Sequence, residues 1–308
     1  MNLITVLGPT AGGKTSFAAN LAYTLDTEII SADSRQVYRG MDLGTGKDMV
    51  DYTVNGREIM CHMVDILNAG EKYNVFRYQK DFFEAFDSVH KKGKTPIMCG
   101  GTGLYLESII KNYQLVDVPA NPKLRADLEK YSLDELREML AKMKTLHNTT
   151  DTDTKKRAIR GIEIETFVKE NPTIVPQYPK IDSLIFGIKN PRPIEREKIR
   201  KRLQERLDNG MIDEMKKLMG SGISEEDLVY YGLEYKFVTL HAVGKLSYND
   251  MFEQLYVAIC QFAKRQMTWF RRMERMGLKI YWIDGQLPME RKIRFAQAIL
   301  DKMQEKQN

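Results

Sequence analysis

Cysteine is scarce in this sequence. Cys61, Cys99 and Cys260 are the three thiols in 308 residues, too few and too scattered for a disulfide framework or a zinc cluster. An odd number of unclustered thiols suits a reducing compartment, so a cytoplasmic location is expected. No apolar run approaches the ~20 residues that a membrane-spanning helix needs. No charged and then apolar leader precedes the first strand-like run, so no signal peptide is expected. Internal repeats and low-complexity tracts are also missing, which excludes solenoids and compositional linkers. What is present is globular: 43% hydrophobic and 29% charged residues, in a chain long enough for two domains. A net charge of +5 leans mildly towards a polyanionic partner.

The strongest local signal is Gly8-Pro9-Thr10-Ala11-Gly12-Gly13-Lys14-Thr15, which fits the nucleotide-binding phosphate loop G-x-x-x-x-G-K-[ST]. The short β-rich run Leu3 to Leu7 precedes it, and a helical pattern from Ser16 to Leu25 follows. Strand, glycine loop and helix together supply the mechanism. Glycines let backbone N–H groups turn around a polyphosphate, and the helix N-terminus adds positive potential. Lys14 brings a point charge, and the Thr15 hydroxyl is within reach of Mg²⁺.

A second strand, Glu28 to Ala32, runs into Asp33-Ser34-Arg35-Gln36-Val37-Tyr38 and a glycine-rich loop ending at Lys47. Ligands of open α/β sheets bind beyond the carboxyl ends of strands, which puts Asp33 in the same mouth as the phosphate loop. A turn or capping role would equally suit an Asp there. Asn55-Gly56 reads as a hairpin turn, and Val75 to Lys92 as an amphipathic helix. The third strand, Pro96 to Cys99, ends in Gly100-Gly101-Thr102, where an NTP-hydrolysing protein would show a Mg²⁺-holding Asp. Those glycines fit either close approach to a ligand or a tight turn.

After Asn112 the pattern changes to short polar helices. A basic helix, Lys155-Lys156-Arg157-Ala158-Ile159-Arg160, follows, closed by Pro172, Pro176 and Pro179. Leu184 to Ile188 then resumes the strand pattern. Between Lys189 and Arg206 stand eight basic and three acidic residues, which is either a lid over phosphates or a solvated charged face. The long helix from Tyr248 to Met276 carries Ala263-Lys264-Arg265-Gln266-Met267-Thr268-Trp269-Phe270, with Trp269 and Phe270 expected in the core. Leu278 to Ile283 reads as the last strand and Met289 to about Gln304 as a closing helix.

Across nearly its whole length the sequence resembles the bacterial tRNA dimethylallyltransferases, the P-loop isopentenyltransferase family. The carriers are the phosphate loop, the stretch Asp33 to Lys47, Gly100-Gly101-Thr102-Gly103-Leu104-Tyr105, and Ala263-Lys264-Arg265-Gln266-x-Thr268-Trp269. The resemblance implies an α/β fold, with a P-loop NTPase-like parallel sheet flanked by helices and a small helical insertion domain. The expected boundaries are 1–117 and 182–308 for the core and 118–181 for a tRNA-binding insertion. It implies transfer of a dimethylallyl group from dimethylallyl diphosphate to N6 of the adenosine at tRNA position 37, with Mg²⁺ as cofactor. No large apolar stripe is left over in the sequence, so a monomer is expected.

Asp33 then stands as general base and Thr10 beside the reacting centre. Gly8, Pro9, Thr10, Ala11, Gly12, Gly13, Lys14 and Thr15 cradle diphosphate, with Thr15 on the metal and Arg202 and Arg206 completing the clamp. The anticodon stem-loop would meet Asp33, Ser34, Arg35, Gln36, Thr102, Arg125, Lys156, Arg157, Ala158, Ile159, Arg160 and Arg265. The chain departs from the family pattern at Gly12, where serine is usual, and at Tyr231 to Lys236, which replaces a Gly-Tyr-Arg-like segment. It lacks the cysteine/histidine tail of eukaryotic relatives. The alternative is a P-loop kinase of a nucleotide or small metabolite, which would predict a carboxylate after the third strand.

Overall fold

A computed structural model describes residues 1–144, 152–172 and 176–305. The chain separates into two compact units, one formed by Met1–Asn112 with Lys180–Asn308 and the other by Tyr113–Pro179. The larger unit is an α/β fold on a parallel sheet. Its strands are β1 (Leu3–Leu7), β2 (Ile29–Ala32), the short hairpin β3 (Thr53–Val54) and β4 (Arg57–Glu58), then β5 (Cys61–His62), β6 (Ile97–Gly100), β7 (Ser183–Lys189) and β8 (Ile280–Asp284). The sheet order is β5-β2-β6-β1-β7-β8, parallel at every pairing. Every residue of β1, β2 and β6 is buried. Strands covered on both faces need apolar side chains at successive positions, which is why they read as continuous runs.

Register decides where the chemistry sits. Leu7 pairs with both Gly100 and Gly187, and Ala32 pairs with Gly100. Strands β1, β2 and β6 therefore end level, while β7 runs on to Lys189, and the next residues, Gly8, Asp33 and Gly101, stand in one row at the carboxyl edge.

Helices α1 (Lys14–Thr24), α2 (Val75–His90) and α3 (Gly103–Ile110) come from the first half of the chain. The smaller unit holds α4 (Pro122–Leu128), α5 (Leu133–Met143) and α6 (Lys155–Glu170). The larger unit then adds α7 (Arg192–Asp208), α8 (Met211–Gly220), α9 (Glu225–Tyr230), α10 (Leu233–Ala242), α11 (Tyr248–Arg275) and α12 (Met289–Glu305). One core packs α1 and α12 against the sheet through Ile4, Val6, Phe17, Leu21, Phe186, Ile188, Ala296 and Leu300. Phe17 and Phe186 are fully buried and meet edge to face at 6.2 Å; burying each stabilises the fold by about 2–3 kcal/mol. Elsewhere in the unit, Tyr78 of α2 stacks on Tyr105 of α3 at 4.0 Å.

The smaller unit has its own core of Leu128, Leu136, Leu140, Ala158, Ile159 and Ile162. Ser132 and Glu135 form a capping box at the start of α5, and Gly161 lets α6 approach Leu140 closely, since a Cβ there would lie 2.7 Å from Leu140 Cδ2.

The last strand begins two residues later than its apolar run. Gly277 at φ 90° closes α11, and the Leu278 N–H is taken by the Met273 carbonyl, so Leu278 belongs to the helix cap. Phe270 is fully buried as expected, whereas Trp269 is only partly covered and lies against Gly103.

Candidate active site

The phosphate loop joins β1 to α1 through two left-handed residues, Ala11 at φ 56° and Gly13 at φ 85°. Gly13 caps α1 without a side-chain hydrogen bond, so the first N–H groups of the helix face outward with no capping oxygen. Gly8 is required by packing, since a Cβ would lie 2.5 Å from the Ile188 carbonyl oxygen of β7. The Gly12 N–H donates to the Pro9 carbonyl, closing the turn. Beside the loop lies a cavity of about 340 Å³ lined by Ala11, Gly12, Gly13, Lys14, Thr15, Asp48, Asp51, Lys198, Lys201, Arg202 and Glu205.

Lys198, Lys201, Arg202 and Glu205 are spaced i, i+3, i+4 and i+7 along α7, which is one helix face. The charge run therefore divides by face. Three of its cations meet the phosphate loop, while Arg200 turns away to pair with Glu253 and lie over Phe252 and Tyr256. Burial pushes the Lys14 ammonium below the ordinary lysine pKa. Cys99 and Asp33 act against that shift, and Arg202 and Arg206 add to it.

Arg206 departs from the expected clamp. It is 8% exposed and not among the residues lining the cavity. Its Nη2 lies 3.5 Å from Asp48, which Arg202 also engages, and its Nε and Nη2 lack a hydrogen-bond partner. Arg206 thus stands behind Arg202, occupying the space that a Cβ on Gly46 would take.

The other side of the row is built around Asp33. Its Oδ1 accepts the Arg35 N–H at 2.9 Å, and the Thr102 hydroxyl accepts the Ser34 N–H at 3.3 Å. Gln36 donates to the Gly46 carbonyl at 3.1 Å. Arg35 lies over the exposed ring of Tyr230, 5.3 Å from its centroid. One carboxylate oxygen of Asp33 thus shapes the turn, which is the turn role that the sequence allowed it. The glycines that end and follow β6 are explained by protein atoms. A Cβ on Gly100 would lie 2.2 Å from the Ala32 carbonyl oxygen, one on Gly101 2.4 Å from Gln266 Nε2, and one on Gly103 2.5 Å from Trp269 Cγ.

Two side chains that the motifs did not single out hold the loop after Asp33. Lys47, 6% exposed, donates to the Tyr38 carbonyl, Asp42 and Asp65. Glu214 of α8 accepts the N–H groups of Asp42, Leu43 and Gly44 at 3.0, 2.8 and 3.1 Å, and the Tyr235 hydroxyl at 2.8 Å. Tyr235 belongs to the segment that departs from the family pattern, and its ring fills the space beside Gly44.

In the smaller unit the expected RNA-facing residues separate. Ala158 and Ile159 are 0% and 3% exposed and serve the core, which corrects the expectation that their side chains meet RNA. Arg125 and Arg160 converge on buried Glu163, so one of their two charges is matched within the unit. Lys156 and Arg157 are exposed, with Arg157 paired to Asp153. Arg265 of α11, in the larger unit, is exposed and lies over Phe262.

Among the described residues no group of three or more His, Cys, Asp or Glu side chains could hold a metal ion. The oxygen donors among the side chains lining the cavity are the Thr15 hydroxyl and the carboxylates of Asp48, Asp51 and Glu205. They suit an ion that takes one or two protein oxygens and completes its shell with phosphate and water, as Mg²⁺ does. Burial, and then the Asp48 charge, push the Asp51 carboxyl pKa up, a repulsion that a cation would relieve. Among the described residues no helix is long and apolar enough to cross a membrane.

Comparison with known proteins places the chain among relatives. A family model described as IPP transferase matches residues 36–273. A tRNA dimethylallyltransferase 2 of Bacteroides fragilis is 57% identical over 299 residues, covering 97% of this chain and 98% of that protein. One from Phocaeicola vulgatus is 60% identical over 292 residues and covers 95% of each chain. The crystal structure of the full-length tRNA isopentenylpyrophosphate transferase of Bacillus halodurans matches with a TM-score of 0.73 at 29% identity, covering 99% of this chain and 98% of that one. A family model spanning most of the sequence, and relatives this similar over their full length, show that the chain belongs to the IPP transferase family.

Proposed function

We propose that this chain transfers a dimethylallyl group from dimethylallyl diphosphate to the N6 amine of adenosine 37 of tRNA, beside the anticodon, releasing diphosphate. The observation that carries the reading is the row at the sheet edge. The phosphate loop and Asp33 follow level strand ends, and glycines stand where phosphoryl transfer would need a metal-holding carboxylate. The names of the relatives, tRNA dimethylallyltransferases, supply the substrate class.

An exocyclic adenine amine is a weak nucleophile, because its lone pair is delocalised into the ring. As the N–C bond forms, its proton must leave, and Asp33 is the carboxylate in the row able to take it. The allylic C–O bond breaks and its electron pair goes to diphosphate. Lys14, Arg202 and the N–H groups at the start of α1 meet that charge where it develops. Mg²⁺ held by Thr15 with Asp48 or Asp51 would add further positive charge to the leaving group. Thr10 stands beside the reacting centre. Arg206 reinforces the clamp through Asp48.

The tRNA would be met by Asp33 to Gln36, Thr102 and Arg265, and in the smaller unit by Lys156 and Arg157. The target base must leave its stack to reach Asp33, and an anticodon loop makes this less costly than a duplex does. The protein is proposed to act as a monomer in the cytoplasm. Incubation with unmodified tRNA and labelled dimethylallyl diphosphate, followed by mass analysis of the digested RNA, tests the reading. Label on one adenosine beside the anticodon is expected. No transfer, or transfer of phosphate from ATP to a small acceptor, would overturn it.

A further inference from the structure

Gln266 is a polar residue on an apolar face. The buried side of α11 runs through Met251, Leu255, Ile259, Ala263, Gln266, Phe270 and Met273. A primary amide in such a stripe is costly unless both ends are bonded. Both are. Its Oε1 accepts the Thr10 N–H at 2.8 Å, and its Nε2 donates to the Gly101 carbonyl at 2.9 Å. One side chain thereby joins the loops leaving β1 and β6, on the two sides of the proposed reaction.

The bond to Thr10 has a chemical consequence. The N–H of Thr10 is committed to Gln266, so the phosphate cradle falls to N–H groups further along the loop, from Gly13 to Thr15. Gln266 fixes the peptide plane entering Thr10, and with it the backbone that carries the Thr10 hydroxyl. On the far side, Gly101 leads into Thr102, whose hydroxyl accepts the Ser34 N–H, and Ser34 follows Asp33. Gly101 must be glycine for this amide to fit, since a Cβ would lie 2.4 Å from Nε2.

We propose that Gln266 is a positioning residue for alkyl transfer, acting through Thr10. The inference rests on the function proposed above. A mere staple between helix and sheet would affect stability but not the turnover of folded enzyme. A residue acting through Thr10 should lose its effect once the Thr10 hydroxyl is gone.

The test is a double-mutant cycle with Gln266→Ala, Thr10→Ala and both together. Single-turnover transfer is read at saturating tRNA and dimethylallyl diphosphate, and the Kd of inorganic diphosphate is measured beside it. Gln266→Ala should slow transfer about 100-fold, the scale of a misplaced reacting group, and leave the diphosphate Kd within about threefold. The double variant should fall within about threefold of the slower single. Gln266→Leu keeps much of the buried volume but offers the Thr10 N–H no acceptor; it should also be slow, and it carries the test if the alanine variant folds poorly. Losses that multiply in the double variant, or a wild-type rate in Gln266→Leu, would overturn the inference alone. Absence of transfer by the unmodified protein would overturn the parent reading and this inference with it.

Discussion

Replacing Glu163 with Gln removes the charge around which the smaller unit is assembled. Glu163 is 2% exposed. It accepts the Asn121 N–H at 2.6 Å, Arg125 Nε at 2.9 Å and Nη2 at 2.7 Å, and a further bond from Arg160. Burial pushes its carboxyl up, but the bonds from Arg125, the Asn121 N–H and Arg160 outweigh it and hold the pKa at about 2, against an ordinary 4.5. A hydrogen bond to a charged group contributes about 1.5–3 kcal/mol. The arginines keep 42% and 38% of their side chains exposed and regain water when released, which discounts their share. The net cost of Glu163→Gln should be about 2–3 kcal/mol at pH 7.

The sign with pH follows from a depressed carboxyl. The contribution is fully present above the unfolded pKa of 4.5 and is lost as pH falls towards the folded value of about 2. Amide exchange in α4 and α6 reads this unit without requiring the whole chain to unfold in one step. Protection should drop by about 2–3 kcal/mol in the variant near neutral pH, and the gap should shrink as pH falls from 4.5 towards about 2. A gap under about 0.5 kcal/mol, or one that does not change with pH, would refute the reasoning.

Lys156→Ala should lower the salt slope of tRNA binding by about one while leaving the melting temperature unchanged; an unchanged slope would make Lys156 a solvated surface charge. Glu214→Ala strands three backbone N–H groups and a tyrosine hydroxyl and should destabilise the larger unit by about 2–4 kcal/mol, read by urea denaturation. Lys14→Met should weaken diphosphate binding about 10- to 100-fold. In the unmodified protein that binding should fade as pH rises through the lowered Lys14 pKa, earlier than for an ordinary lysine; titration calorimetry across alkaline pH checks both.

The strands were legible because buried parallel strands must be apolar at successive positions, as in Leu3 to Leu7 and Ile97 to Cys99. The phosphate loop was legible because its glycines and Lys14 lie within eight residues. What escaped depends on partners distant in sequence. Gln266 lay inside a quoted motif, yet its bond to Thr10 spans 256 positions; a lone amide in an apolar stripe was the signal available. Glu214 and Lys47 gave no such signal. The basic helix misled for a different reason. Consecutive residues of a helix point in different directions, so Lys156 and Arg157 face out while Ala158 and Ile159 face in, and a run of sequence is not a surface. Arg125 and Arg160 share Glu163, a pairing that the spacing of the three residues in sequence does not announce. The glycines at 100, 101 and 103 fitted a ligand or a turn equally well, and only neighbouring atoms decided between them.

In the proposed reaction Asp33 takes the proton from the attacking amine. Asp33→Asn tests it most directly, because the amide oxygen can still accept the Arg35 N–H that shapes the turn. Single-turnover transfer to saturating unmodified tRNA should fall at least about 100-fold, with tRNA affinity within about tenfold of the unmodified protein. Transfer by Asp33→Asn at close to the original rate would contradict the account.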